Sequence, residues 1–296
     1  MRVPGAALLA GEAALRAGAG IRDRPSPGGD KEQRGRVLIV GGSMRVPGAA
    51  LLAGEAALRA GAGKLQIATA ASVAPGMALA VPEALVLGLG QNAQGEIVRG
   101  HRALDAAMAS CDAAVIGPGM ASTSTTAALV KRAIAQAVCT LVLDAGALSP
   151  RLRAPVGRPF VLTPHAGEMA TLAGDDKAAV EEAPGDYALA FAKTMRSVVI
   201  VKGADSVIAC PNGVLWMHRG GASGLGTSGS GDVLAGLIAG FAARGCDALS
   251  AALWGVFVHA AAGRRLAKEI GPVGFLAREL GVEVPGILDR LARSAL

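Results

Sequence analysis

Residues 36–69, RVLIVGGSMRVPGAALLAGEAALRAGAGKLQIAT, read as one strand–turn–helix–strand unit. The run 36–41 is apolar and β-branched after Arg36. The segment 48–61 is rich in Ala and Leu with Pro47 near its start, and 64–69 returns to a strand pattern. Further short apolar runs at 84–88, 113–117, 140–144, 159–163 and 198–202 predict strands, several of them covered on both faces. Two more runs, 206–210 and 213–217, flank Pro211-Asn212-Gly213 and predict a hairpin. Helical patterns fall at 123–137, 185–195, 232–243, 247–268 and 284–293. In 232–243 the residues Val233, Leu234, Leu237, Ile238 and Phe241 recur at helical spacing. Strands alternating with helices predict βαβ crossovers, a mostly parallel sheet and an α/β fold.

Residues 1–20 recur letter for letter at 44–63. The period does not continue, so this is no solenoid. The second copy follows a strand and the turn Gly41-Gly42-Ser43, whereas no strand precedes the first. The same residues cannot fill one slot twice. The expectation is a duplicated helix-like segment over 1–20, lying on the surface, packed on a partner or left by gene history. Residues 21–296 then form a single domain, with 21–35 as a linker-like stretch rich in charge, Pro and Gly.

Composition narrows the class. Of 296 residues, 52 % are hydrophobic and 18 % charged, which excludes a disordered chain. Aromatics are only 3 %, so the core must be built from Ala, Val, Leu and Ile. The net charge of +6 suits anionic ligands such as nucleotides; no Lys/Arg run with interleaved aromatics points to nucleic acid. Cys111, Cys139, Cys210 and Cys246 are widely spaced without a CxxC, which predicts free thiols in a reducing cytoplasm. The charge-free stretches 65–82 and 113–130 carry internal Gly and Pro, so neither is expected to cross a membrane. Glu12 and Arg16 interrupt any signal-peptide core, so no leader is expected.

The densest chemical signal is 220–236, GGASGLGTSGSGDVLAG. Consecutive small residues let backbone N–H groups turn toward one point, and a helix N-terminus adds positive potential. That predicts a site for phosphate or another developing anion. Asp232 at its edge is either an N-cap or a general base beside that anion; the adjoining Gly-Ser-Gly favours the base. No Walker loop or Rossmann fingerprint is present. Other candidates fall at strand ends, where ligands of parallel sheets bind. They are His165 and Glu168 in LTPHAGEM, Asp144 in LVLDAGAL, Gly119 in VIGPGM and Lys202 in VKGADS. Asp144 could meet Mg²⁺ or simply end a strand; Lys202 could meet phosphate or face solvent. His101, His218 and His259 lack partners at metal-ligand spacing and read as structural. No residue is assigned as a metal ligand.

The order of these motifs, GRVLIVGGS…VPGAALLAGEAALRAGAGKLQIAT, IGPGM, LVLDAGAL, VLTPHAGEM, IVKGADSVIACPNG and GTSGSGDVLAG, resembles the ADP-dependent NAD(P)H-hydrate dehydratase family. The resemblance runs from about residue 21 to the C-terminus, with TPHxGEM and GSGDVLAG its most specific parts. It implies a ribokinase-like three-layer α/β/α fold with a mostly parallel sheet. It also implies repair of hydrated NADH or NADPH, with ADP as co-substrate and Mg²⁺. The alternatives are a ribokinase-like ATP-dependent kinase of a vitamin-type alcohol, or a non-catalytic nucleotide-binding protein.

Carried over by position, the resemblance makes Asp232 catalytic and places Ala49, Gly119, His165 and Asp232 at the hydrate. It places Lys202, Gly203, Ala204, Asp205, Ser206 and Gly231 at the nucleotide, with Asp144, Glu168 and Gly229 in support. Ser206 stands for the family's Thr and keeps the hydroxyl. Ala166 stands where Pro is frequent, and Asp30 and Glu32 depart from the family's HKG loop. A homo-oligomer, a tetramer, is implied, in the cytoplasm and without nucleic-acid or membrane partners. The epimerase domain of bifunctional members is expected to be absent, because 35 residues precede the first strand.

Overall fold

The computed structural model describes residues 30–98, 102–153 and 160–293. The duplicated segment 1–20 and His101 lie outside them. Among the described residues nine strands form one sheet: β1 Arg36–Val40, β2 Lys64–Ala70, β3 Ala84–Leu89, β4 Ala113–Ile116, β5 Thr140–Leu143, β6 Phe160–Leu162, β7 Val198–Val201, β8 Ser206–Ala209 and β9 Leu215–His218. The spatial order is β3-β2-β1-β4-β5-β6-β7-β8-β9. Pairing is parallel from β3 to β7 and antiparallel across β7, β8 and β9. The predicted hairpin is β8–β9, in which Ser206 faces His218.

Strand side chains alternate between two cores, which defines the three layers. On one face Val37, Ile39, Val115 and Ile200 pack under α1 Gly48–Arg59, α8 Ser230–Ala243, α9 Ala248–Glu269 and α10 Ala277–Arg293. On the other, Leu38, Val40, Ile116 and Leu162 pack under α3 Arg102–Ser110, α4 Ser124–Gln136, α5 Ala166–Ala173 and α7 Pro184–Met195. Short helices α2 Ala74–Ala80 and α6 Lys177–Glu182 complete the described set. The sequence pattern missed α2, α3, α5 and α6, which run only six to nine residues each. It also began α10 too late, at 284, because Pro285 lies inside that helix.

The Ala- and Gly-rich composition has a specific use. From α8, Leu237, Ile238 and Phe241 are fully buried, each stabilising by roughly 1.5–3 kcal/mol. Where α8 crosses α1, Gly236 comes so close that a Cβ there would sit 2.1 Å from the Ala53 carbonyl oxygen. The two helices therefore touch backbone to backbone. This fixes α8, which carries the glycine-rich turn at its head, against the turn that follows β1.

Candidate active site

The site lies along the carboxyl edge of the parallel strands. Chain leaves β1 as Gly41-Gly42-Ser43 and β4 as Gly117-Pro118-Gly119. These turns are joined by Gly42 N–H to Pro118 O at 2.7 Å and Ser43 N–H to Gly119 O at 3.1 Å. Gly119 lies directly against Ala49 at the start of α1. The two proposed hydrate-lining positions are thereby brought together.

Asp144, which follows β5, is buried at 2 % exposure. Its Oδ1 accepts from Thr163 Oγ1 at 2.7 Å and from Lys202 Nζ at 2.9 Å. Lys202 Nζ also lies 3.8 Å from Glu168 Oε2. Burial opposes the charge on Lys202, but Asp144, Glu168 and Asp232 outweigh it and raise its pKa. Lys202 is therefore not a solvent-facing strand-end residue. Its backbone N–H bonds Pro164 O at 2.8 Å and so ties the end of β7 to the TPH turn.

His165 is the N-cap of α5. Its Nδ1 accepts from the backbone of Gly167 at 3.0 Å and Glu168 at 3.2 Å, while Glu168 Oε2 accepts from His165 N–H at 2.8 Å. This reciprocal capping box fixes the imidazole. With Nδ1 accepting, the neutral ring carries its hydrogen on Nε2, as a donor.

Asp232 is not an N-cap. Helix α8 begins at Ser230, two residues earlier than the sequence pattern suggested. Its N-cap is Gly229, which sits at φ +87°, a left-handed backbone that glycine adopts without strain. The Ser230 N–H bonds the Thr227 carbonyl oxygen at 3.3 Å, and no side chain caps the turn, so the Gly231 and Asp232 amides remain available to a ligand. Burial foremost, then the Asp144 charge, pushes the Asp232 carboxyl from 3.8 up to about 7; Lys202 opposes this and Glu168 adds to it. A carboxylate poised near neutrality is suited to remove a proton from a hydroxyl.

Beside this cluster opens a cavity of about 560 Å³. Lys202, Gly203, Ala204 and Ser206 line one wall, Gly231 and Ser230 another, and His165 the mouth. Asp205 is exposed and outside this lining. The 221–227 loop, part of the glycine-rich stretch singled out in the sequence, lines this cavity as well. Three groups that line it or brace it escaped the sequence reading: Thr163, His218 and His259. Thr163 had a signal, the hydroxyl preceding Pro164-His165 at a strand end. The two histidines had none, since only tertiary packing of β9 and α9 brings them here. Burial, with Arg264 nearby, lowers the His218 pKa.

Among the described residues no group of three or more His, Cys, Asp or Glu could hold a metal ion by itself. A Mg²⁺ carried on nucleotide phosphates needs only one or two protein carboxylates, with water completing its shell. Asp144 and Glu168 supply such oxygens, so the residues fit a nucleotide-borne ion and not a protein-caged one.

A three-layer sheet with an uncapped glycine-rich helix head, a cationic Lys202 and a poised Asp232 at its carboxyl edge defines a ribokinase-like, nucleotide-dependent enzyme. Residues 37–285 match the family model for NAD(P)H-hydrate dehydratase, and the chain belongs to that family. It is 85 % identical over 281 residues to the ADP-dependent (S)-NAD(P)H-hydrate dehydratase of Xanthomonas campestris pv. campestris, covering 95 % of this chain and 96 % of that one. A crystal structure of the Bacillus subtilis ADP/ATP-dependent NAD(P)H-hydrate dehydratase, co-crystallized with ATP/Mg²⁺, is similar at TM-score 0.81. It is 30 % identical and covers 97 % of this chain and 99 % of its own. A ribokinase-like superfamily protein from Enterococcus faecalis V583 is similar at TM-score 0.79 and 26 % identity, covering 90 % and 91 %. The chain spans about half the length of bifunctional NAD(P)H-hydrate repair enzymes such as that of Moorella thermoacetica, 37 % identical, covering 90 % of this chain and 52 % of that one.

Proposed function

We propose that this chain dehydrates hydrated NAD(P)H to NAD(P)H with consumption of ADP to AMP and phosphate. The observation that carries this reading is Asp232, lifted to about 7, at the uncapped head of α8 and beside Lys202. Asp232 takes the proton from the ring hydroxyl as that oxygen attacks the β-phosphorus of ADP. The bond between that phosphorus and the bridging oxygen breaks, and AMP leaves. The first-turn amides of α8 and the Lys202 ammonium hold the phosphoryl oxygens as charge shifts. The ring nitrogen then drives loss of the phosphate ester, the C–O bond breaks, and a proton leaves the neighbouring carbon. The sum is hydrate plus ADP giving NAD(P)H, AMP and phosphate.

Ala49 and Gly119 present a smooth wall to the hydrate, and His165 offers its Nε2–H at the mouth. Mg²⁺, held through Asp144 and Glu168, would neutralise charge on the nucleotide phosphates. Residues 21–296 act as the catalytic unit in this reading. A homo-oligomer in the cytoplasm is part of the same proposal; among the described residues no helix is long and apolar enough to cross a membrane. Hydrated NADH is offered with ADP and with ATP in parallel, and the reduced-nicotinamide absorbance is followed. Its return with release of AMP supports the reading. No return, with ATP-dependent phosphorylation of a vitamin-type alcohol instead, would overturn it.

A further inference from the structure

We infer that His259 is a positioning residue for the anion-facing head of α8, acting through Ser230; this rests on the nucleotide reading of the cavity. His259 projects from the middle of α9, and its Nε2 lies 2.9 Å from Ser230 Oγ and 3.0 Å from the Ser230 carbonyl oxygen. A carbonyl oxygen only accepts, so Nε2 carries the hydrogen and donates to it. The same N–H reaches the hydroxyl oxygen, which leaves the hydroxyl hydrogen of Ser230 for another acceptor. Ser230 is 4 % exposed, and both it and His259 line the 560 Å³ cavity.

A helix head that binds an anion faces a conflict. A side-chain cap would steady its first turn but would occupy the amides the ligand needs. Here no side chain takes those amides. The turn is steadied instead from its carbonyl side, by a donor on a different helix. An imidazole suits this role only while neutral, because a second cationic proton would be unsolvated there. Burial provides for that, lowering the His259 pKa to about 4. Ser230, held this way, presents a hydroxyl donor to an anion at the cavity wall, two residues before Asp232. The ligand chemistry is a nucleotide phosphate, and the role of His259 is to keep Ser230 and its neighbouring amides aimed at it.

The test uses the full chain. ADP binding with Mg²⁺ is measured by calorimetry for the wild type, His259→Leu, Ser230→Ala and the double variant, alongside KM for ADP and for the hydrate. His259→Leu keeps bulk and removes the donor. A hydrogen bond to a charged group corresponds to about tenfold in affinity. Each single variant is therefore expected to weaken ADP about tenfold, with KM for the hydrate unchanged, and the double variant to lose no more than the worse single one. His259→Gln, whose amide can donate to the same carbonyl, is expected to recover most of the loss. Additive losses, or equal shifts in both KM values, would overturn the proposal. If His259→Leu does not fold, Ser230→Ala decides: wild-type ADP affinity in that variant overturns the proposal. A wild type that binds no ADP overturns the nucleotide reading itself, and this inference with it.

Discussion

Lys202 Nζ lies 2.9 Å from Asp144 Oδ1, joining the end of β7 to the end of β5. The pair does more than tie two strands. Asp144 raises the Asp232 pKa, whereas Lys202 lowers it. Removing the cation should act on fold and chemistry together. Lys202→Met leaves Asp144, buried at 2 % exposure, with the Thr163 hydroxyl as its side-chain donor. Breaking a buried pair costs about 3–5 kcal/mol, and the 19 % exposure of the Lys202 side chain places the loss near the lower end. Denaturant unfolding measures it. The acid limb of the pH–rate profile should also move to higher pH, because Asp232 loses the charge that favours its ionised form. A limb that stays in place would separate Lys202 from Asp232.

Asp232 reverses the usual sign of a carboxylate in pH-dependent stability. Its folded pKa of about 7 lies above the ordinary 3.8, so between those values the folded state holds a proton that the unfolded state has released. Its contribution to stability is full below pH about 4 and is lost as pH rises through 7. Asp232→Asn resembles the protonated form and should escape that loss. The whole displacement corresponds to at most about 4 kcal/mol. The side chain is partly exposed and solvent screens it, so a gain of about 1–2 kcal/mol above pH 7 is expected. The same variant should lose 10²- to 10⁴-fold in turnover, roughly the worth of a general base. Wild-type kcat/KM should rise with pH through about 7. Unfolding at pH 5 and pH 8, with rates on the same preparations, checks both halves. A variant that is active, or no more stable at pH 8, contradicts the role assigned to Asp232.

The sheet was legible because most of its strands are short apolar runs, several of them ending in Gly, Asp or Lys. All nine predicted strands appear within two residues of their expected bounds. The chemistry-bearing strand ends were legible for the same reason: Asp144, His165 and Lys202 each follow such a run. What stayed hidden depends on packing between distant segments. His259 follows Asp232 by more than seven helical turns of chain, and nothing local marks its contact with Ser230. The helix start at Ser230 was hidden because Ser-Gly-Asp reads as loop; only the left-handed Gly229 and the buried flank of α8 draw it into a helix.

The close approach of α8 to α1 at Gly236 carries a stability prediction. At Gly236 an added Cβ would lie 2.1 Å from the Ala53 carbonyl oxygen and 2.8 Å from its carbon. The obstacle is backbone, which cannot swing aside as a side chain does. Gly236→Ala must push α8 off α1, at a cost of about 1–3 kcal/mol or more. For a domain of this size that lowers Tm by several degrees, at roughly 2–4 °C per kcal/mol. Ala49 rides on α1 and Asp232 on α8, so KM for the hydrate should rise as well. An unchanged Tm would mean that the two helices separate freely.

The duplicated segment yields the last prediction. Residues 44–63 supply α1, whose Ala49, Ala50, Ala53, Ala56 and Ala57 are all buried against the sheet and α8. The slot that this sequence fits is therefore occupied by its second copy. Residues 1–20 lie outside the described residues. Deleting 1–20 should leave turnover within about twofold and Tm within about 2 °C, the span of a typical surface change. Activity and melting of the shortened chain, measured beside the full one, decide this. Loss of folded protein on deletion would show that the first copy has a packing partner of its own.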